Sequence, residues 1–178
     1  GGNKTWYWRM TYPVAHYLIA IAVYPYTVYN SPSAIVNATT VPIVNYLTTA
    51  TNTATIRANC DAMKNVLEHF STIFGDYPFK NEKYGHVTYT FGGGMENQTV
   101  TFLGTGAFSR SIMAHELAHQ WWGDQVTCDS WGNIWVNEGI ARYSEVLYSE
   151  QFETAAEEKK KRAGYKTSAK VAAGIVYR

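Results

Sequence analysis

Histidines at positions 115 and 119, with a glutamate beside the first, form the group in this sequence best suited to chemistry: His115-Glu116-Leu117-Ala118-His119. Each helical residue turns about 100°, so two positions four apart differ by about 40° and share one face. Two imidazoles on one face can grip one metal ion, and H-E-x-x-H is the pattern of zinc sites that hydrolyse peptide bonds. Glu116 is turned aside from that ion, where a carboxylate can take a proton from the attacking water. Glu138 follows, with 18 residues between it and His119, inside Trp135-Val136-Asn137-Glu138-Gly139-Ile140-Ala141. Two nitrogens and one oxygen leave a fourth position open, as a catalytic zinc requires. His115, His119 and Glu138 are therefore candidate ligands of one Zn2+ per chain, and Glu116 is the candidate general base.

Helices must carry these residues. Ser109 or Ser111 can cap a helix that runs to about Trp122, and Gly123 suits its end. A second helix from Asn133 to about Gln151 carries Glu138. Thr53 to Phe74 has Ile56, Cys60, Met63, Leu67, Phe70 and Phe74 at three- and four-residue steps, the stripe of an amphipathic helix. Gly75-Asp76-Tyr77-Pro78 ends it. Glu153 to Ala173 is charged and helical, with Glu157–Lys161 and Glu158–Arg162 at the favourable spacing, and reads as a solvated face. Tyr84 to Phe91 reads as a strand. Residues 5–29, rich in Tyr, Trp, Val and Ile, read as two or more strands broken at Pro13 and Pro25. Residues 30–54, dominated by Asn, Ser, Thr, Ala and Pro, read as a long connection with one short strand at Ile43–Leu47.

Bulk properties narrow the field. The chain has 178 residues, 46% of them hydrophobic, which suits one domain or a large part of one. A net charge of +1 implies neither a nucleic-acid surface nor a polybasic membrane patch. No run of about 18 uninterrupted apolar residues is present, so no membrane span is expected. No leader opens the chain, and Gly1-Gly2-Asn3 reads as an internal or processed start. Cys60 and Cys128 can pair on composition alone, but Cys60 lies in a helical stripe and reads as a free buried thiol. His16, His69 and His86 lack ligand spacing to the motif and read as packing or surface residues. Asp124 and Glu145 can each orient an imidazole, and neither is assigned. The sequons at Asn3, Asn37 and Asn97 read as chance matches.

Before the metal helix lies Gly93-Gly94-Met95-Glu96-Asn97. Glycines after a strand let another backbone come close, because no Cβ intervenes. An extended peptide can bond along such an edge. Glu96 would then place a carboxylate where a free α-ammonium group is drawn, restricting cleavage to the first residue.

Taken together, Gly-Gly-Met-Glu-Asn, His-Glu-Leu-Ala-His-Gln-Trp-Trp-Gly-Asp and Trp-Val-Asn-Glu-Gly-Ile-Ala resemble the aminopeptidase N family of gluzincin metallopeptidases. The first motif usually has alanine where Gly94 stands. The resemblance covers residues 75–150 specifically. It implies His115, His119 and Glu138 on zinc, Glu116 as the base, Glu96 on the substrate's amino terminus, and Gly93 and Gly94 as peptide-binding backbone. The implied fold is α+β, a partial thermolysin-like (zincin) catalytic domain. A β-rich opening segment (1–50) precedes a zinc-binding core (51–178), and the family's N-terminal β domain and C-terminal part are not seen. Family members carry an oxyanion-stabilising tyrosine further downstream, and neither Tyr165 nor Tyr177 matches it. The expected activity is a zinc aminopeptidase acting on peptides with a free N-terminus. The alternatives are a thermolysin-like endopeptidase and a zinc-binding module with weak or no activity. Bacterial members are often exported, which favours a periplasmic or secreted location, and oligomeric state is open.

Overall fold

The computed structural model describes residue 5 and residues 7–171. Gly1-Gly2-Asn3, Tyr177 and the last residues of the expected C-terminal helix lie outside them. Five strands form one mixed sheet in the order β1-β2-β3-β5-β4. They are β1 (Thr27–Val36), β2 (Thr39–Leu47), β3 (Tyr84–Tyr89), β4 (Gly94–Met95) and β5 (Thr101–Gly104). The helices are α1 (Ala54–Phe74), α2 (Arg110–Ala118), α3 (Trp135–Phe152) and α4 (Ala155–Val171). The expected α+β class is what forms, with one sheet spanning strands from before and after residue 50.

The sheet begins where the sequence suggests a loop. β1 and β2 are antiparallel and joined at Asn37 and Ala38, both at positive φ (46° and 62°). A two-residue turn of that hand matches the twist of a hairpin. Val41, Ile43, Asn45 and Leu47 point inward along β2 while the residues between them face outward. The outward Thr and Pro residues gave the segment its loop-like composition. Inward Asn45 is satisfied: its amide donates to Ser31 Oγ and the Tyr29 carbonyl, and its oxygen lies 2.7 Å from His86 Nδ1.

The strands expected within 5–26 do not form. The chain there is irregular apart from a 3-10 turn at His16–Leu18, and Ile19, Ile21 and Val23 are exposed. β-branched residues make a strand only where a sheet offers a partner edge and a packing face. The described residues of 5–26 pair with no strand, and Ile19, Ile21 and Val23 have no packing face.

The helices follow their caps. Thr53 Oγ1 accepts from Ile56 N, and Gly75 at φ +94° closes α1. Cys60, Met63, Leu67 and Phe70 on α1 are buried against the sheet. Both cysteines are free, and burial pushes the Cys60 thiol up to about 12. Ser109, not Ser111, caps α2. Its regular helix stops at Ala118 rather than Trp122, because the chain turns to drive Trp121 into Phe70, Phe74 and Tyr77. α3 starts at Trp135, two residues later than expected, after a 3-10 turn at Trp131–Asn133. β4 and β5 were not foreseen.

Candidate metal centre

α2 and α3 bring the three candidate ligands together. His115 Nε2 lies 3.2 Å from His119 Nε2 and 3.5 Å from Glu138 Oε2, and His119 Nε2 is 3.9 Å from Glu138 Oε1. A tetrahedral zinc with bonds of about 2.1 Å needs its ligand atoms roughly 3.4 Å apart. The three separations bracket that value, so these residues fit the ion.

The proton positions argue the same way. His119 Nδ1 faces the Trp122 carbonyl at 3.0 Å. His115 Nδ1 lies 3.2 Å from Glu145 Oε1, in an approach too bent to count as a full hydrogen bond. Each Nδ1 therefore faces an acceptor, so that when both rings are neutral their two Nε2 lone pairs aim at one point. A cation there relieves their repulsion. Burial opposes charge on His115, yet contacts with Glu138 and Glu145 raise it to about 9. In His119, burial dominates and lowers the pKa.

Glu116 is buried next to this point. Its carboxylate and that of Glu96 cluster with His119, their ligand-type atoms all within 4.8 Å of one another. Burial, with Glu96, Glu138 and Glu145 adding to it and His115 opposing, raises Glu116 to about 8. A bound cation pulls such a group back toward its ionised form. Asp124, left unassigned from the sequence, is buried with both oxygens unpartnered and does not contact an imidazole among the described hydrogen bonds. Burial first, then Glu96 and Glu116, push its carboxyl well up, so it favours the neutral form.

The glycine loop lies over Glu116. Gly93 is at φ +85°, which a side chain would strain. A Cβ on Gly94 would come within 2.3 Å of Glu116 Oε1. β4 is the last strand of the sheet and pairs only with β5, so its other edge is unpaired among the described residues. Gln120 holds the loop from below, donating to the Glu96 carbonyl at 3.2 Å and accepting from Thr99 N at 2.8 Å. Asn97 is buried and donates to the Leu18 carbonyl at 2.8 Å.

Two contributors escaped sequence reasoning. Glu145, which the sequence alone does not assign, stands seven residues after Glu138, two helical turns along the same face. Tyr17 had no signal: it lies in the irregular opening segment. Its hydroxyl donates to the Gly123 carbonyl and accepts from Asn137 Nδ2, tying that segment to α3.

A model of the peptidase family M1 domain matches residues 58–174. The chain belongs to peptidase family M1. Among M1 relatives it is 41% identical to aminopeptidase N of Oryctolagus cuniculus over 66 residues, 37% of this chain and 7% of that protein. It is 61% identical to aminopeptidase N of Haemonchus contortus over 36 residues, 20% of this chain and 4% of that one. The M1 zinc metallopeptidase of Deinococcus radiodurans superposes with a TM-score of 0.70 at 26% identity. That match covers 85% of this chain and 34% of the other. The chain thus spans about a third of that M1 structure and less than a tenth of the two aminopeptidases in aligned length.

Proposed function

We propose that this chain is the metal-bearing part of a zinc aminopeptidase catalytic domain, with residues 1–50 as its β-rich opening and 51–178 as its zinc-binding core. His115, His119 and Glu138 would hold one zinc. Zinc bound there would supply Lewis acidity toward a water and toward the peptide carbonyl. Glu116 takes the proton of the attacking water and returns it to the leaving amine. Gly93 and Gly94 leave the β4 edge open to an extended peptide backbone. Glu96 pairs with the substrate's α-ammonium group, so the first peptide bond is the one that reaches Glu116. The substrate class is peptides with a free N-terminus.

One observation carries this reading. Two Nε2 atoms 3.2 Å apart converge with Glu138, while Glu96 and Glu116 cluster on His119 next to the glycine edge. A metal site alone does not need Glu96 there; an aminopeptidase does.

The test is cleavage of aminoacyl amides against amino-blocked peptides by the full-length protein that contains these residues. The expected result is cleavage of the first set only. Glu96→Ala should raise KM for free-amine substrates by ten- to a hundredfold, the loss of one charge-assisted contact. Equal cleavage of both sets would replace this reading with an endopeptidase. One bound zinc without hydrolysis of either would leave a zinc-binding module.

A further inference from the structure

The charged C-terminal helix is more than a solvated face. α4 packs on α3 through Lys161 and Tyr165, both partly buried. Arg162 pairs with Glu158, as the spacing anticipates, and with Glu150 of α3. Lys161 does not pair with Glu157: it turns inward, donating to Ser111 Oγ at 3.1 Å and lying 3.4 Å from Glu153 Oε2. Glu157 instead caps the start of the helix at Thr154.

Tyr165 reaches further in. Its hydroxyl donates to Glu145 Oε2 at 2.5 Å. The same oxygen accepts from Ser111 Oγ at 2.8 Å, and the other, Oε1, from Arg142 Nη1 at 2.6 Å. Oε1 is also the atom 3.2 Å from His115 Nδ1. A buried carboxylate with one oxygen committed to two hydroxyls has its plane fixed, and its second oxygen is thereby aimed.

We propose that Tyr165 is a positioning residue for the metal centre, holding Glu145 so that Glu145 orients His115. This rests on the zinc reading above, and extends it to a helix that touches none of the candidate ligands in the observed contacts. The hydroxyl is directed at Glu145, not at the His115–His119–Glu138 opening, so its role is distinct from stabilising an oxyanion. Burial and the neighbouring Glu145 raise the Tyr165 hydroxyl to about 12, which keeps it a donor through the working pH range. Partners in the shell around a metal's ligands change its affinity about 10- to 100-fold when removed. Tyr165 stands one contact further out, so the expected effect is near the lower end.

The experiment is a zinc dissociation constant, by chelator competition, for the full-length protein and for Tyr165→Phe, Glu145→Gln and the double variant. Phenylalanine keeps the ring and removes only the hydroxyl. The expected result is roughly tenfold weaker zinc binding in Tyr165→Phe, with the melting temperature of the metal-free protein unchanged. On the Glu145→Gln background the same substitution should add less than about twofold, since its route to His115 is cut. Unchanged zinc affinity in Tyr165→Phe overturns the proposal. So do additive effects, and so does a fall in melting temperature without a change in zinc binding. Failure of the unaltered protein to bind zinc would overturn the metal reading itself, a separate result.

Discussion

His119 and Glu138 approach the same point from opposite surroundings. The His119 side chain is 1% exposed and hydrogen-bonded to the Trp122 carbonyl; that of Glu138 is 51% exposed and approaches the two histidines. Behind His119 lie α1, the sheet and the Trp121 aromatic cluster. Near Glu138 in the chain, Trp131 and Trp135 stand 65% and 67% exposed. The α2 side is prepared before any metal arrives, since each Nδ1 already faces an acceptor. The α3 side supplies charge from a residue with freedom to move. The difference teaches that one ligand set can combine a structural half, which the fold depends on, with a chemical half, which it does not.

The largest effect should fall on the prepared side. Glu116→Gln should lower kcat by about 10²- to 10⁴-fold while zinc content stays the same. If zinc is lost as well, Glu116 belongs to the ligand half and the division fails. Next come the ligands themselves. His119→Ala and Glu138→Ala should both weaken zinc, but only His119→Ala should destabilise the metal-free protein, by about 2 kcal/mol as a buried truncation. Equal melting temperatures for the two metal-free variants would erase the contrast.

A different effect appears only in acid. His86 is buried in β3 with Nδ1 on Asn45, and burial lowers its pKa to about 3. Below the ordinary value near 6.5 the unfolded chain takes up a proton that the folded one refuses. The contribution is intact above pH 6.5 and is lost as pH falls toward 3, by at most about 1.4 kcal/mol per pH unit. Denaturant titrations between pH 7 and 4 should show that slope in the metal-free protein, and His86→Gln should flatten it. Smallest is a labelling difference: Cys128, partly exposed on the front side, should react with a thiol reagent in the native state while buried Cys60 waits for unfolding. Equal rates would mean the α1 side opens as readily as the front.

What the sequence disclosed follows the same division. α1 and α2 were legible because each has a cap and, in α1, an apolar stripe that no other period explains. The clustering of the candidate ligands was legible because His115 and His119 sit four apart on one helix face. Of the β1–β2 hairpin only the Ile43–Leu47 part of β2 was legible, since the outward positions elsewhere carry Thr, Ser and Pro and the turn is Asn37-Ala38 rather than a glycine pair. Residues 5–26 misled in the opposite sense, with strand-forming side chains that pair with no strand among the described residues. Glu145 could have been placed by counting two turns from Glu138. Tyr165 could not, because its contact depends on how α4 folds back on α3.

Gly94 remains, with its missing Cβ facing the carboxylate of Glu116. On this backbone any side chain there also displaces Glu116, because the two groups claim the same volume. A side chain at position 94 therefore requires a new resting place for Glu116.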